Sequence, residues 1–176
     1  MAEETGNLDL TPFKFSLPKK LESTEAGEKI LAALNLRLET SGAKCPYLIP
    51  LFPASRSIIN ALYAARRSGR LIRGIEDAEK KLTAEGAGIA YSDRKTGTDR
   101  TQRISRAIIV TNDGSERFYR QTKKLVRQNS PRVLAIQLDI TSFELGKMLF
   151  GPDQRVLFLL VSHKDAVINF LMSLTD

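Results

Sequence analysis

Residues 66–82, RRSGRLIRGIEDAEKKL, hold the densest set of side chains able to do chemistry. Arg66, Arg67, Arg70 and Arg73 lead into Gly74, and the charge then reverses to Glu76 and Asp77. Two chemistries fit that reversal. Carboxylates in a first helical turn are stabilised by its unpaired N–H groups, by ~0.3–1 kcal/mol each, with no ligand involved. Alternatively, Gly74 lets another backbone approach, the helix-start N–H groups receive a phosphate, and the arginines hold neighbouring phosphates. Glu76 or Asp77 then accept a base amino or imino hydrogen, which a cation cannot do. The local chemistry leaves the two readings level.

Other constellations are thin. His163 is the one histidine and Cys45 the one cysteine, so neither a His-rich metal site nor a disulfide framework can form. His163 reads as an ordinary strand-end residue and Cys45 as a residue packed in a proline-rich stretch. Neither a Walker-type loop nor a dinucleotide fingerprint is present. Asp113, in TNDGSE, reads as a cap for the helix that follows. No cofactor and no catalytic residue is expected. The N-terminal MAEETGNLDL is acidic and lacks an apolar core, so no secretory signal is expected there. No stretch reaches the ~20 apolar residues of a membrane span, so no membrane partner is expected, and the lone cysteine points to a reducing, intracellular compartment.

The chain has 176 residues and a net charge of +7. Residues 1–54 contribute six basic and seven acidic side chains, a net of −1, which leaves +8 for the remainder. The second part is thus the basic module, suited to a polyanion. A soluble, solvated surface is the plainer explanation of the same charge.

The elements that must position these groups follow from periodicity. Residues 1–54 read as an N-terminal extension, with one helix at about 23–40 capped by Ser23 and a proline-rich connector at 46–53. From Ser57, a helix with Ile58, Leu62 and Ala65 in phase ends near Gly69. RLIR is a short strand-like link, and GIEDAEKKLTAEG is a second helix. Residues 86–101, GAGIAYSDRKTGTDRT, read as a long basic loop carrying Arg94, Lys95 and Arg100, with Arg103 beyond it. RAIIVTND, RVLAIQL and RVLFLLVS are apolar strands, separated and followed by helices. On the helix after the first of these strands, Arg120, Lys124 and Arg127 form one stripe, which a solvated face would also explain. Thr141 with Glu144 fits a capping box. Alternation of helices and apolar strands implies a sheet covered on both faces.

Three stretches in order resemble a known family. SIINALYAARRSGRLIRGIEDAEKKL, AIIVTNDGSE and ELGKMLFGPDQRVLFLLV are similar to the archaeal ribosomal L-seven-Ae and L-thirty-e superfamily of kink-turn RNA-binding proteins, over about residues 57–172. The resemblance implies an α/β fold, a three-layer α-β-α sandwich with a four-stranded mixed sheet, and no catalysis. It implies RNA contacts from Arg67, Arg70, Arg73, Gly74, Glu76, Asp77 and Lys80 at one helix start. A second RNA-facing loop maps onto Gly151, Pro152, Asp153, Gln154 and Arg155, of which Gly151, Gln154 and Arg155 are the candidate contacts. Arg94, Lys95, Arg100 and Arg103 would form a secondary basic loop, an insertion relative to compact members.

The sequence departs from the family at Glu76, where members carry Asn. A carboxylate has no donor, so the sheared G·A readout is not simply carried over. Phe150 before Gly151 also makes the second loop one residue longer. The implied role is a non-catalytic RNA-binding subunit of a ribosome, a small nucleolar particle or a ribonuclease P type particle. Its partners would be structured RNA and other protein subunits, the latter through residues 1–54, and its place the nucleus or nucleolus in a eukaryote and the cytoplasm otherwise. A protein-interaction module of the same fold, or an accessory domain of an RNA-modifying enzyme, are the rivals.

Overall fold

The computed structural model describes residues 15–39, 49–97 and 103–176. Cys45, the front of the proline-rich connector and Arg100 lie outside these residues.

Every helix but α3 begins where a side chain can take up an unpaired N–H. Helix α1 (Glu25–Glu39) opens on Thr24, whose hydroxyl accepts from the Gly27 N–H at 2.9 Å and donates to the Leu21 carbonyl at 2.8 Å. Thr24 therefore takes the capping position that the sequence reading gave to Ser23, which has a φ of 58°. Helix α2 (Arg56–Arg67) is capped by Ser55 and ends at Gly69, with a φ of 69°. Helix α4 (Glu116–Gln128) is capped by Ser115 and α5 (Ser142–Phe150) by Thr141. His163 caps α6 (Lys164–Ser173) by accepting the Asp165 N–H on Nδ1 at 3.2 Å. One imidazole thus has a plain structural duty.

The remaining helix, α3 (Ile75–Thr96), differs from the sequence reading. Residues 86–96 are its continuation and not a loop. Gly86 and Gly88 each cost roughly 1 kcal/mol against alanine in a helix interior. That is too little to stop a helix already nucleated and flanked by Ala84, Ala87 and Ala90. Gly97, left-handed at a φ of 68°, ends it.

The strands are β1 (Leu51–Pro53), β2 (Leu71–Arg73), β3 (Arg106–Val110), β4 (Val133–Asp139) and β5 (Phe158–Val161). They form a mixed sheet of five strands in the order β1-β4-β3-β5-β2, where the resemblance implied four. Strands β1, β4 and β3 are parallel, and β5 runs antiparallel to both β3 and β2. The additional strand is β1, drawn from the proline-rich connector. It pairs along one side with β4, which leaves a place for Pro53 that a central strand would not offer.

Alternate strand residues feed two cores. Ala107, Ile109, Leu134, Ile136, Leu159 and Val161 face α1, α2, α5 and α6. Ile108, Val110, Val133, Ala135, Phe158 and Leu160 face Ala78 and Leu82 of α3 and Tyr119 and Leu125 of α4. The segment read as an attachment is built into the first core, since Ile30 and Leu34 of α1 and Phe52 of β1 are buried there.

Helix α3 is held at its middle by charge. Glu85 accepts from Arg106 Nε at 3.0 Å and Arg132 Nη1 at 2.7 Å, and Arg132 also donates to the Leu82 carbonyl at 3.2 Å. The Arg132 side chain is 7% exposed and that of Glu85 16%, so the pair is largely desolvated. Removing one partner from such a pair leaves an uncompensated charge, at a cost on the order of 3 kcal/mol. Glu85→Ala is therefore expected to lower the urea midpoint by an amount of that order, with the m-value unchanged. A midpoint equal to that of wild type would show that water replaces the carboxylate at no cost.

Candidate nucleic-acid interface

Gly74 sits between β2 and α3 with a φ of 94°, a conformation that L side chains rarely adopt. Its N–H donates to the Phe158 carbonyl at 3.0 Å, so the ladder between β2 and β5 runs directly into the start of α3. No side chain caps that helix, and a Cβ at Gly74 would meet nothing within 4 Å. The glycine is thus required by backbone conformation, and the space beside it is open. Glu76, Asp77 and Lys80 are exposed on the first turns.

The second loop, residues 151–157, is brought to the same place by Arg73. Its Nη1 donates to Gln154 Oε1 at 3.0 Å and its Nη2 to the Arg155 carbonyl at 2.7 Å. The Arg73 guanidinium also lies 4.9 Å from the Phe150 ring centroid, and that of Arg66 lies 5.0 Å from it. Arg73 is therefore a clamp between β2 and the loop. Phe150, the last residue of α5, is the ring on which both guanidinium groups rest.

The loop is fixed from below by α5. A Cβ at Gly146 would lie 2.1 Å from the Gln154 carbonyl oxygen, so only glycine allows helix and loop backbone to touch. The Val156 N–H donates to the Ser142 carbonyl at 2.9 Å. Gly151, at a φ of 106°, turns the chain out of α5.

Asp113 organises the far end of the loop. It does not cap α4, which Ser115 does. Its carboxylate accepts from the Thr111 hydroxyl at 2.9 Å, the Ser142 N–H at 2.9 Å and the Ser142 hydroxyl at 2.7 Å. The same Ser142 oxygen accepts from Arg155 Nε at 2.8 Å, and Arg155 Nη2 stands 3.9 Å from Asp113. Ser142 is fully buried, whereas the Arg155 side chain is 67% exposed. One end of the Arg155 guanidinium is thus oriented while the rest faces solvent. Burial alone would raise the Asp113 carboxyl, but the hydrogen bonds from Ser142 and Thr111 outweigh it and hold the group below the usual carboxylate value.

The structure therefore brings Arg73, Gly74, Gln154 and Arg155 together, with Arg66 and Phe150 added to them. Arg67 is exposed at the end of α2, and Arg70 is half-buried in the turn beyond it. Of the secondary basic residues, Arg100 lies outside the described residues. Arg94 and Lys95 lie in the last turn of α3, about 30 Å along the helix from Gly74. Arg103 is paired with Glu22 at 2.9 Å and donates to the Leu17 carbonyl at 3.3 Å. Arg120, Lys124 and Arg127 of α4 are exposed, as a solvated stripe requires. Among the described residues, no group of acidic, histidine or cysteine side chains is placed to hold a metal, and no helix is long and apolar enough to cross a membrane.

Sequence spacing does not identify Ser142 as a partner of Asp113, since the two are 29 residues apart. The one local hint is Ser115, which stands one residue before α4 and competes for the capping position.

The lowered Asp113 carboxyl sets the sign of a pH effect. Its contribution to stability is complete above the unfolded value, near pH 4, and is lost as pH falls through the lower folded value. The stability gap between wild type and Asp113→Asn is expected to be largest above about pH 4 and to shrink in more acid solution. Denaturant titrations at a series of pH values would show this, and a gap independent of pH would place the carboxylate's stabilising partners elsewhere. Comparison with family models and with curated proteins gives no match for this chain.

Proposed function

We propose that this chain is a non-catalytic RNA-binding subunit of a ribonucleoprotein, taking a folded RNA across the rim formed by Gly74 and loop 151–157. The observation that carries this reading is the Arg73 clamp. It sets a glycine-led helix start and a turn of exposed polar groups side by side, the two elements from which the resemblance draws its RNA contacts. Uncapped N–H groups at α3 offer donors to a phosphate oxygen. Arg67, Arg70, Lys80 and Arg155 neutralise neighbouring phosphates, and Arg66 adds to them. Glu76 and Asp77 accept from base edges. Arg73 acts through the loop that it holds. Other protein subunits complete the particle.

Glu76, Asp77 and Glu79, all exposed at the start of α3, favour a second reading in which the same fold docks a basic protein surface and no longer grips RNA. Filter binding to structured RNA at two salt concentrations separates the two. The RNA reading expects affinity that falls steeply with salt, and the second expects no binding even at low salt.

Arg67 and Arg70 are the pair to remove, because Arg73 is needed by the loop. Arg67→Ala with Arg70→Ala is expected to weaken binding and to reduce the salt slope by ~1 for each phosphate no longer neutralised, with the melting temperature unchanged. An unaltered slope would move the interface away from the end of α2. Glu76→Asn restores a donor at the first turn and is expected to tighten binding to a standard kink-turn. If affinity fails to rise, base recognition at this helix start does not follow the family's geometry.

A further inference from the structure

Helix α3 carries a second pattern, independent of the rim at its start. Its 22 residues span about 33 Å, and its buried residues are Ala78 and Leu82. On the opposite side, Asp77, Lys80, Ala84, Ala87, Tyr91 and Arg94 are all exposed. They recur at intervals of three and four, the spacing of a coiled-coil seam. Their order is acid, cation, small, small, aromatic, cation.

That order is self-complementary when reversed. With a two-fold axis between positions 85 and 86, antiparallel pairing sets Asp77 against Arg94, Lys80 against Tyr91 and Ala84 against Ala87 of the second copy. Each match has a physical basis: an ion pair, an ammonium over an aromatic ring, and two methyl groups that let the helix axes approach closely. Because each contact occurs twice about the axis, the interface is isologous and closes at two chains. Asp77, Lys80 and Arg94 form no ion pair with another described residue, so their charges are available. Tyr91 is 65% exposed, a large apolar group with little covering it in the single chain.

We infer that α3 is a self-association surface, on which a second copy of this chain docks antiparallel along the Asp77–Arg94 seam. The seam runs over about five helical turns but presents only six residues a side, against the ~20–30 a side of stable complexes, so the dimer is reversible and depends on concentration. It does not rest on the RNA reading, since it forms without nucleic acid. Asp77 and Lys80 belong to both surfaces, so a chain engaged in the seam withholds them from the rim.

Sedimentation velocity of the full chain over a concentration series, without RNA, tests the pairing through charge reversal. Wild type is expected to show a monomer–dimer equilibrium. Asp77→Arg and Arg94→Asp, each alone, set like charges together at two symmetric places and are expected to weaken the dimer by about tenfold or more. The double variant Asp77→Arg with Arg94→Asp restores opposite charges and is expected to recover association. A wild type that stays monomeric throughout, single variants that associate like wild type, or a double variant that does not recover would each overturn the seam. The double variant decides the matter even if a single reversal disturbs folding. Loss of RNA affinity with an intact dimer, or the reverse, distinguishes failure of the function proposed above from failure of this one.

Discussion

The hydrogen bond from the Gly74 amide to the Phe158 carbonyl fixes where the candidate site can be. It is one rung beyond the β2–β5 ladder, so the sheet itself dictates the first residue of α3. Strand β5 has neighbours on both sides and is buried on both faces. A shift of the helix start would therefore disturb the centre of the molecule. Only a residue at ease with positive φ can turn the chain there, which is why Gly74 cannot be exchanged for alanine.

The second loop depends on the same strand, because it leads into β5. Three further constraints then converge on it: the Arg73 clamp, the close approach of Gly146 to the Gln154 carbonyl, and the Asp113–Ser142–Arg155 chain. These draw on β2, α5 and the turn after β3, which are remote from one another in sequence. The loop's shape is thus a tertiary property, while its composition, Gly-Pro-Asp-Gln-Arg, is a local one.

What the sequence reveals follows this distinction between local and remote. Strands β3, β4 and β5 are apolar runs ended by turn residues, and they stand out for that reason. The end of α2 at Gly69 and the start of α3 at Gly74 are equally local signals. Strand β1 is hidden because the prolines of its stretch of sequence argue against a strand, yet an edge position accommodates Pro53. The length of α3 is hidden because Gly86 resembles a stop, whereas the stop is Gly97, in the left-handed conformation. Arg73 and Asp113 have duties that spacing does not show, for a common reason. Their partners, at Gln154 and Arg155 for the first and at Ser142 for the second, are brought near by folding and by nothing in the spacing. A guanidinium facing an acceptor in its own chain and one facing a ligand read alike as letters.

The bidentate hold of Arg73 on the loop has a thermodynamic consequence. Its guanidinium is anchored by two acceptors and rests against Phe150, so the loop surrenders its conformational freedom during folding and not upon encounter. A molecule that settles on this ridge meets a mould already set. The entropy of ordering the complex then falls on the visitor, and a stiff visitor of matching shape is favoured over a limp one.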